Sequence, residues 1–214
     1  MSTKDPLRDA IRLLYIFTEG SRLLDADHES GAESIFCGRA RLLAFDFWIR
    51  NPDYLADELL NKFEENGDSS LVDLVRSIFE SEEPDIRRLP MLRYRFGAYE
   101  RLDDALAILR SRELIMISVR RAGTRVIETD YLVFSGARVL AGNVVSEFPQ
   151  LAWYQERARV VAELAGERGG TALKEQQHRQ IEYHETKLGG LIPPITERVR
   201  ERLAEIESGL KYAK

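Results

Sequence analysis

Apolar residues recur at helical spacing through the first third of the chain. The clearest run begins after Asp5-Pro6, ends at Gly20 and contains four apolar residues three or four positions apart: Leu7, Ile11, Leu14 and Phe17. Because this spacing places the four side chains on one face, it predicts an amphipathic helix. The same pattern predicts helices over about 36–49, 52–66 and 69–79, with a polar loop at 23–34. We therefore expect residues 1–80 to form a helical part.

The pattern changes in the middle of the chain. Glu80–Pro90 contains two prolines among many charged residues and predicts a linker. A helical stripe over Tyr99–Arg112 is followed by two strand-like runs, Leu114–Val119 and Arg125–Phe134, which are separated by a glycine-containing turn. A new helix is predicted to start after the second run. A helix, a β-hairpin and another helix in this order outline a winged helix over residues 91–146, a small domain that binds nucleic acid or another protein.

The last third, residues 147–214, returns to helical spacing. Helices are predicted over about 149–165, 171–187 and 195–210, separated by glycine- and proline-containing breaks. The middle one is polar almost all round, which predicts an exposed helix or one that docks on a partner. The expected fold class is therefore mainly α with a small β-hairpin, in which a winged-helix-type domain is flanked by helical segments.

Composition narrows the cellular compartment in which the protein is expected. The 214 residues carry a formal net charge of −5, and apolar runs such as Leu42–Ile49 are too short to span a membrane. Asp5 and Asp9 lie where an export signal would need an uncharged apolar stretch. A single cysteine, Cys37, excludes an internal disulfide and fits a reducing compartment. We therefore expect a cytoplasmic protein with no membrane partner.

Catalytic and metal-binding patterns are weak. His178 and His184 are six residues apart, a spacing that does not place them on one helical face, so a metal site with the neighbouring glutamates is the less favoured interpretation. Cys37 begins an apolar segment and is expected to be a structural thiol, although a nucleophile paired with His28 is the alternative. The glycine-rich stretch 166–170 lacks the Lys-Ser/Thr ending of a phosphate-binding loop. The expectation is no metal, no cofactor and no enzymatic activity.

Arginines form the main candidate for a binding site. Residues 81–134 contain ten arginines, no lysine and nine acidic residues. The candidate DNA-binding residues are Arg93, Arg95, Arg101, Arg120, Arg121 and Arg125. If the hairpin is a wing, the last three surround its tip, where a phosphate-backbone contact would occur. The alternative is a solvated turn paired with Glu100, Asp103, Asp104 and Glu128. A local net charge of only +1 also fits a winged helix that binds protein.

Two segments of the chain resemble a known family. They are RLLAFDFWIRNPDYLADELL (Arg41–Leu60) and MLRYRFGAYERLDDALAILRSRELI (Met91–Ile115). The first is similar to an Asp-Phe, Arg-x-Pro-x-x-Leu signature, with Asn51 standing where a large residue is expected. The second is similar to an Arg-Tyr-x-(Phe/Tyr)-Gly stretch that leads into a helix and a strand. Both resemble the middle component of ABC-three-component systems, the group that includes Lamassu-type anti-phage defence.

The resemblance implies a non-enzymatic accessory subunit. Such a subunit would bridge an SMC- or Rad50-like ABC ATPase and an effector protein in a bacterial anti-phage defence complex, with contact to double-stranded DNA made through the complex. The C-terminal helices (Leu151–Leu210) or the acidic N-terminal half would form its protein contacts. The residues themselves leave a second hypothesis open, a winged-helix DNA-binding transcription regulator.

Overall fold

A computed structural model describes residues 5–94, 97–99 and 101–212 of the chain. Across these residues it is mainly helical, with a four-stranded antiparallel sheet and a separate two-stranded one. The helices are α1 (Pro6–Gly20), α2 (Arg39–Arg50), α3 (Pro52–Asn66), α4 (Ser69–Glu80), α5 (Glu83–Ile86), α6 (Asp103–Ser111), α7 (Ser135–Glu147), α8 (Ala152–Ala165), α9 (Gly170–His178), α10 (Ile181–Glu185) and α11 (Thr196–Tyr212). The strands are β1 (Arg22–Leu23), β2 (Ser34–Phe36), β3 (Leu92–Tyr94), β4 (Gly97–Tyr99), β5 (Ile115–Ala122) and β6 (Arg125–Val133). None of the described helices is long and apolar enough to span a membrane.

The helical class with a small sheet is confirmed, and the predicted first helix has the predicted ends. The Asp5 carboxylate accepts hydrogen bonds from the backbone N–H groups of Leu7 and Arg8, and Pro6 occupies the first helical position. α3 likewise begins at Pro52, and it ends at Asn66 with Gly67 as its C-cap, whose φ of 72° is the left-handed conformation. Local capping chemistry therefore accounts for these boundaries.

Several boundaries differ from the sequence expectation. Phe36 lies in strand β2 rather than at the start of a helix, and Gly38, with a φ of 90°, separates that strand from α2. The expected linker at Glu80–Pro90 contains the short helix α5, in which Glu83 is buried. The expected polar helix over residues 171–187 is divided into α9 and α10. Hydrophobic periodicity did not resolve these points, because each depends on packing against residues distant in sequence.

The four-stranded sheet extends the expected hairpin. Its strand order is β1-β2-β6-β5, and all neighbouring strands are antiparallel. β2 pairs with β6 so that Ile35 lies opposite Leu132, and β5 pairs with β6 so that Ile115 lies opposite Val133. The hairpin is therefore anchored at its base by a strand from much earlier in the chain.

The chain divides into two compact units. The first comprises Met1–Asp46 and Tyr99–Gln177, and the second comprises Phe47–Ala98 and His178–Lys214. The bounds of these units differ from those of the expected parts 1–80, 91–146 and 147–214. Each unit combines segments from both halves of the sequence.

Helix α1 is the centre of the first unit. Every side chain from Arg12 to Thr18 is buried, and the helix packs against α6, α7 and α8 and against strands β2 and β6. Next to it, the ring of Phe36 meets those of Phe17 and Phe45 edge-on, at centroid distances of 5.6 and 5.3 Å. A Cβ at Gly20 would lie 2.8 Å from the Phe36 and Phe45 rings, so this close approach requires glycine.

Arg12 introduces a charge into this core. Its Nε donates to Asp46 Oδ1 at 2.6 Å, and both side chains are fully buried. Its Nη1 donates to Asp9 Oδ1 at 2.8 Å. Burial alone would lower the pKa of Arg12, but the Asp46 and Asp9 carboxylates raise it above its usual value. The guanidinium is therefore held in its charged form and links α1 to α2.

The second unit is organised around the start of α3. All residues from Asn51 to Leu60 are buried, including Asp53, Asp57 and Glu58. Asp53 Oδ2 accepts from the Ile195 backbone N–H at 2.7 Å, next to the first residue of α11. Asp57 Oδ1 accepts from Arg202 Nη1 at 2.7 Å and from Arg198 Nη1 at 3.3 Å. These carboxylates fix α11 on α3, in a way that apolar periodicity did not reveal.

We expect Arg12→Met to lower the free energy of unfolding by about 3–5 kcal/mol, because the Asp46 carboxylate would remain buried without its cation. Replacing both partners, as Arg12→Met with Asp46→Leu, is expected to cost less than the single change. Arg76→Met removes a half-buried arginine paired with Asp73 and Glu207 and is the matched control, with little expected effect. Urea denaturation measures all three, and a double variant no more stable than Arg12→Met would contradict the assignment.

The Asp53 carboxyl predicts a pH dependence. Burial raises its pKa, although hydrogen bonds from Ile195 and Tyr54 and the charge of Arg88 oppose the shift. A carboxyl whose pKa is higher in the folded state contributes stability below its unfolded pKa and loses it as pH rises through the folded pKa. Compared with Asp53→Asn, the wild-type protein should therefore lose stability as pH rises from about 4 to 7. Parallel stability profiles of the two proteins across this range would exclude the shift.

Candidate functional site

The β5–β6 hairpin is buried at its base and exposed over its outer half. Ile115, Tyr131 and Val133 lie in the core of the first unit, whereas every residue from Ser118 to Ile127 is exposed. Three consecutive residues at the base of β6, Tyr131, Leu132 and Val133, are buried, and the ring of Tyr131 packs against that of Phe17 in α1. The outer half has no such cover.

The turn gives the hairpin a defined shape. Ala122 pairs with Arg125, so that Gly123 and Thr124 form a two-residue connection. Gly123 has a φ of 58°, which favours glycine and is typical of tight hairpin turns. The register shifts between Arg120 and Arg121, where β6 contributes one extra residue and forms a β-bulge.

Three of the predicted arginines come together at this tip. Arg120 forms an ion pair with Glu128 directly across the hairpin, and the hydrogen bond and charge of Glu128 raise the Arg120 pKa. Arg121 and Arg125 are exposed and have no ion pair with any residue that the structure describes. The tip therefore presents two solvated arginines.

The other predicted arginines lie elsewhere. Arg101 is exposed just before α6, in the first unit. Arg93 lies on β3 in the second unit, where its guanidinium donates to the Thr186 carbonyl and its backbone N–H donates to Gly190 O at 2.8 Å. Arg95 falls outside the described residues. Arg93 therefore has a structural role in holding residues 186–190 beside β3.

The expected acidic neighbours are only partly at the hairpin. Glu128 pairs with Arg120 as expected. Asp103 instead faces Arg39, with a long distance of 3.9 Å between carboxylate and guanidinium. Glu100 falls outside the described residues. Of the described acidic residues that the sequence suggested, Glu128 is the one that forms an ion pair at the tip.

Apolar side chains accompany the arginines, which the sequence did not single out. Val119, Val126 and Ile127 are 43%, 45% and 54% exposed, and Met116 nearer the base is 44% exposed. Valine and isoleucine are expected in any strand, so their identity alone gave no sign that they would remain uncovered. The outer hairpin thus combines positive charge with apolar surface.

Other candidate chemistry finds less support in the geometry. Cys37 is half-buried rather than fully enclosed, in a cleft of about 400 Å³ that also includes Glu19 and Arg41. His28 Nδ1 lies 2.7 Å from Ser30 Oγ. Among the described residues, there is no cluster of three or more His, Cys, Asp or Glu side chains placed to hold a metal ion. The hairpin is therefore the strongest candidate for a functional surface.

No protein-family model, curated protein or solved structure matches this chain.

The turn geometry predicts that replacement by alanine has different effects on stability at two glycines. Gly123→Ala should destabilise the hairpin by about 1 kcal/mol, because an L-residue is strained at this positive φ. Gly142→Ala is the matched control, since Gly142 is exposed in α7 with open space around it and alanine favours a helix. Amide hydrogen exchange in residues 115–133 should accelerate only in Gly123→Ala. Equal exchange in both variants would show that the turn does not depend on Gly123.

Proposed function

We propose that this chain is a non-enzymatic accessory subunit of a bacterial anti-phage defence complex, in which it bridges an SMC- or Rad50-like ABC ATPase and an effector protein. The resemblance of Arg41–Leu60 and Met91–Ile115 to the middle component of ABC-three-component systems supports the assignment. In this role the chain contributes binding surfaces to the complex, and the ATPase and effector supply the reactions.

The first unit acts in this proposal as a winged-helix module. Its order supports the interpretation: α1 precedes β2, α2 and α6 follow, and the β5–β6 hairpin comes after α6. The sheet also supports it, because β2 lies beside β6, the second strand of the hairpin. Within the sequence, Phe47–Ala98 of the second unit begins in the last turn of α2 and ends before α6.

The exposed outer half of the hairpin is the observation that carries the proposal. Three neighbouring residues of this half, Val119, Val126 and Ile127, expose about half of their surface, and the two arginines beside them have no ion-pair partner in the part of the chain that the structure describes. Clustered apolar exposure on a folded protein indicates an interaction surface. A subunit that works by binding other proteins needs such a surface and needs no catalytic group.

The second candidate is a winged-helix transcription regulator that binds double-stranded DNA. Arg121 and Arg125 favour it, because exposed arginines at a wing tip can contact phosphates. The net charge of −5 opposes it, since dedicated nucleic-acid binders are strongly basic. The two candidates differ in whether the isolated chain binds DNA.

Co-expression with the products of the neighbouring genes tests the proposal. A stable complex that contains this chain and an ATPase with a long coiled coil is expected on size-exclusion chromatography. The isolated chain, titrated with duplex DNA, is expected to bind weakly. A lone chain that binds a duplex tightly, weakens about 40-fold between 50 and 200 mM salt as three phosphate contacts require, and loses binding when Arg120, Arg121 and Arg125 are all replaced by alanine would favour the regulator instead.

A further inference from the structure

One face of the hairpin continues the core of the first unit outward. Alternate residues of a strand share a face, so Ile115, Ile117 and Val119 lie on one side of β5. Exposure along this side rises from 3% at Ile115 to 43% at Val119. On β6, Thr129 lies opposite Val119 and therefore on the same face. The face that packs into the core at the base is uncovered further out.

The β-bulge adds apolar surface next to this face. Ile127 is the extra residue of β6 at the bulge, and it is exposed. Val126 lies opposite Arg121, which is two residues from Val119 and therefore on that same side. Val126 therefore lies on the face of Val119, and the register shift adds a second exposed apolar residue, Ile127, next to Val126 in the chain. We call Val119, Val126 and Ile127 the hairpin strip.

Two arginines lie at one end of the hairpin strip. Arg121 shares its face, and Arg125 lies next to Val126 in the chain. Neither arginine has an ion-pair partner among the described residues. Charge complementarity therefore favours a ligand that supplies apolar surface for the strip together with carboxylates or other anions beside these two guanidinium groups.

Two classes of occupant fit this surface less well. A second copy would bring its own Arg121 and Arg125 towards the same pair, and like charges in contact oppose association. Duplex DNA would meet the arginines, but its phosphates gain nothing from the valine and isoleucine side chains, and Glu128 and Asp130 lie further along β6. A protein segment that is both apolar and acidic satisfies both halves of the surface.

We propose that the hairpin strip binds an amphipathic acidic segment of a partner protein, with apolar side chains on Val119, Val126 and Ile127 and carboxylates on Arg121 and Arg125. The inference deepens the proposed function and rests on it, because it names the surface through which the subunit holds a component of the complex. The two-residue turn and the bulge present the strip in one conformation, so that little ordering is needed on binding.

Variants in the co-expressed complex test the proposal. Ile127→Ser removes apolar contact and Arg121→Glu reverses a tip charge, and each is expected to weaken association by about tenfold or more. The matched controls are Val139→Ser, at an exposed valine of α7, and Arg179→Glu, at an exposed arginine between α9 and α10, both with unchanged association expected. Circular dichroism confirms that each variant is folded. Hairpin variants that bind as tightly as the controls would overturn the inference.

A photo-crosslinker identifies the occupant. A benzophenone side chain introduced at position 127 is expected to react with one segment of the partner protein, in which Asp or Glu residues flank apolar ones. Crosslinking to DNA, or to a second copy of this chain, would overturn the proposal. Failure of the proposed function is distinguishable, because it appears with the wild-type chain as the absence of any complex.

A synthetic peptide tests the strip independently of the complex. The probe is a 20-residue helical peptide with leucines at helical spacing and flanking glutamates, and its control has the same composition in scrambled order. Titrated against the full chain, the first peptide is expected to bind and the scrambled one is not, and Ile127→Ser should remove the difference. Absent binding, or equal binding of both peptides, would contradict the assignment.

Discussion

The first unit depends on a helix that has no solvent-facing side over two turns. Because every side chain of α1 from Arg12 to Thr18 is buried, the charge of Arg12 has to be matched inside the core, and Asp46 of α2 supplies the matching carboxylate at 2.6 Å. That pair fixes α2 against α1. The aromatic side chains around Phe17 then fill the space between α1 and the sheet. Any arrangement that separates this pair leaves an unpaired charge in the core, which is strongly destabilising.

Packing against this core fixes the orientation of the hairpin. Tyr131 of β6 is fully buried, and its ring centroid lies 5.0 Å from that of Phe17, so the base of the hairpin is fixed to α1. Strand alternation and pairing then place Thr129 and Val119 on the face of Tyr131 further out. The face of the hairpin that is buried at the base is therefore exposed further out, where the strands extend beyond the helices. The surface with the strongest case for binding is a direct continuation of the core.

Local signals in the sequence accounted for much of this fold. Capping by Asp5 and Pro6, the glycine turn of the hairpin and the cluster of arginines at its tip were all visible from the residues. Strand β2 was not, because it is three residues long and exists through pairing with β6 about a hundred residues later. The exposure of the neighbouring residues Val126 and Ile127 was hidden as well, since a one-residue bulge changes the register of the strand. The predictable features were set by neighbours in sequence, and the missed ones by register and long-range pairing.

Charged side chains are buried and paired in the second unit but solvated at the hairpin tip. This contrast decides which residues of the hairpin indicate a partner. In the second unit, Asp57 is buried and has to be paired within the chain, which Arg198 and Arg202 achieve. At the hairpin tip, Arg121 and Arg125 are solvated, so their lack of a partner costs little and alone would indicate no ligand. Exposed valine and isoleucine differ, because water does not stabilise apolar surface. The hairpin strip is therefore the reason to infer a partner, and the two arginines determine the charge which that partner carries.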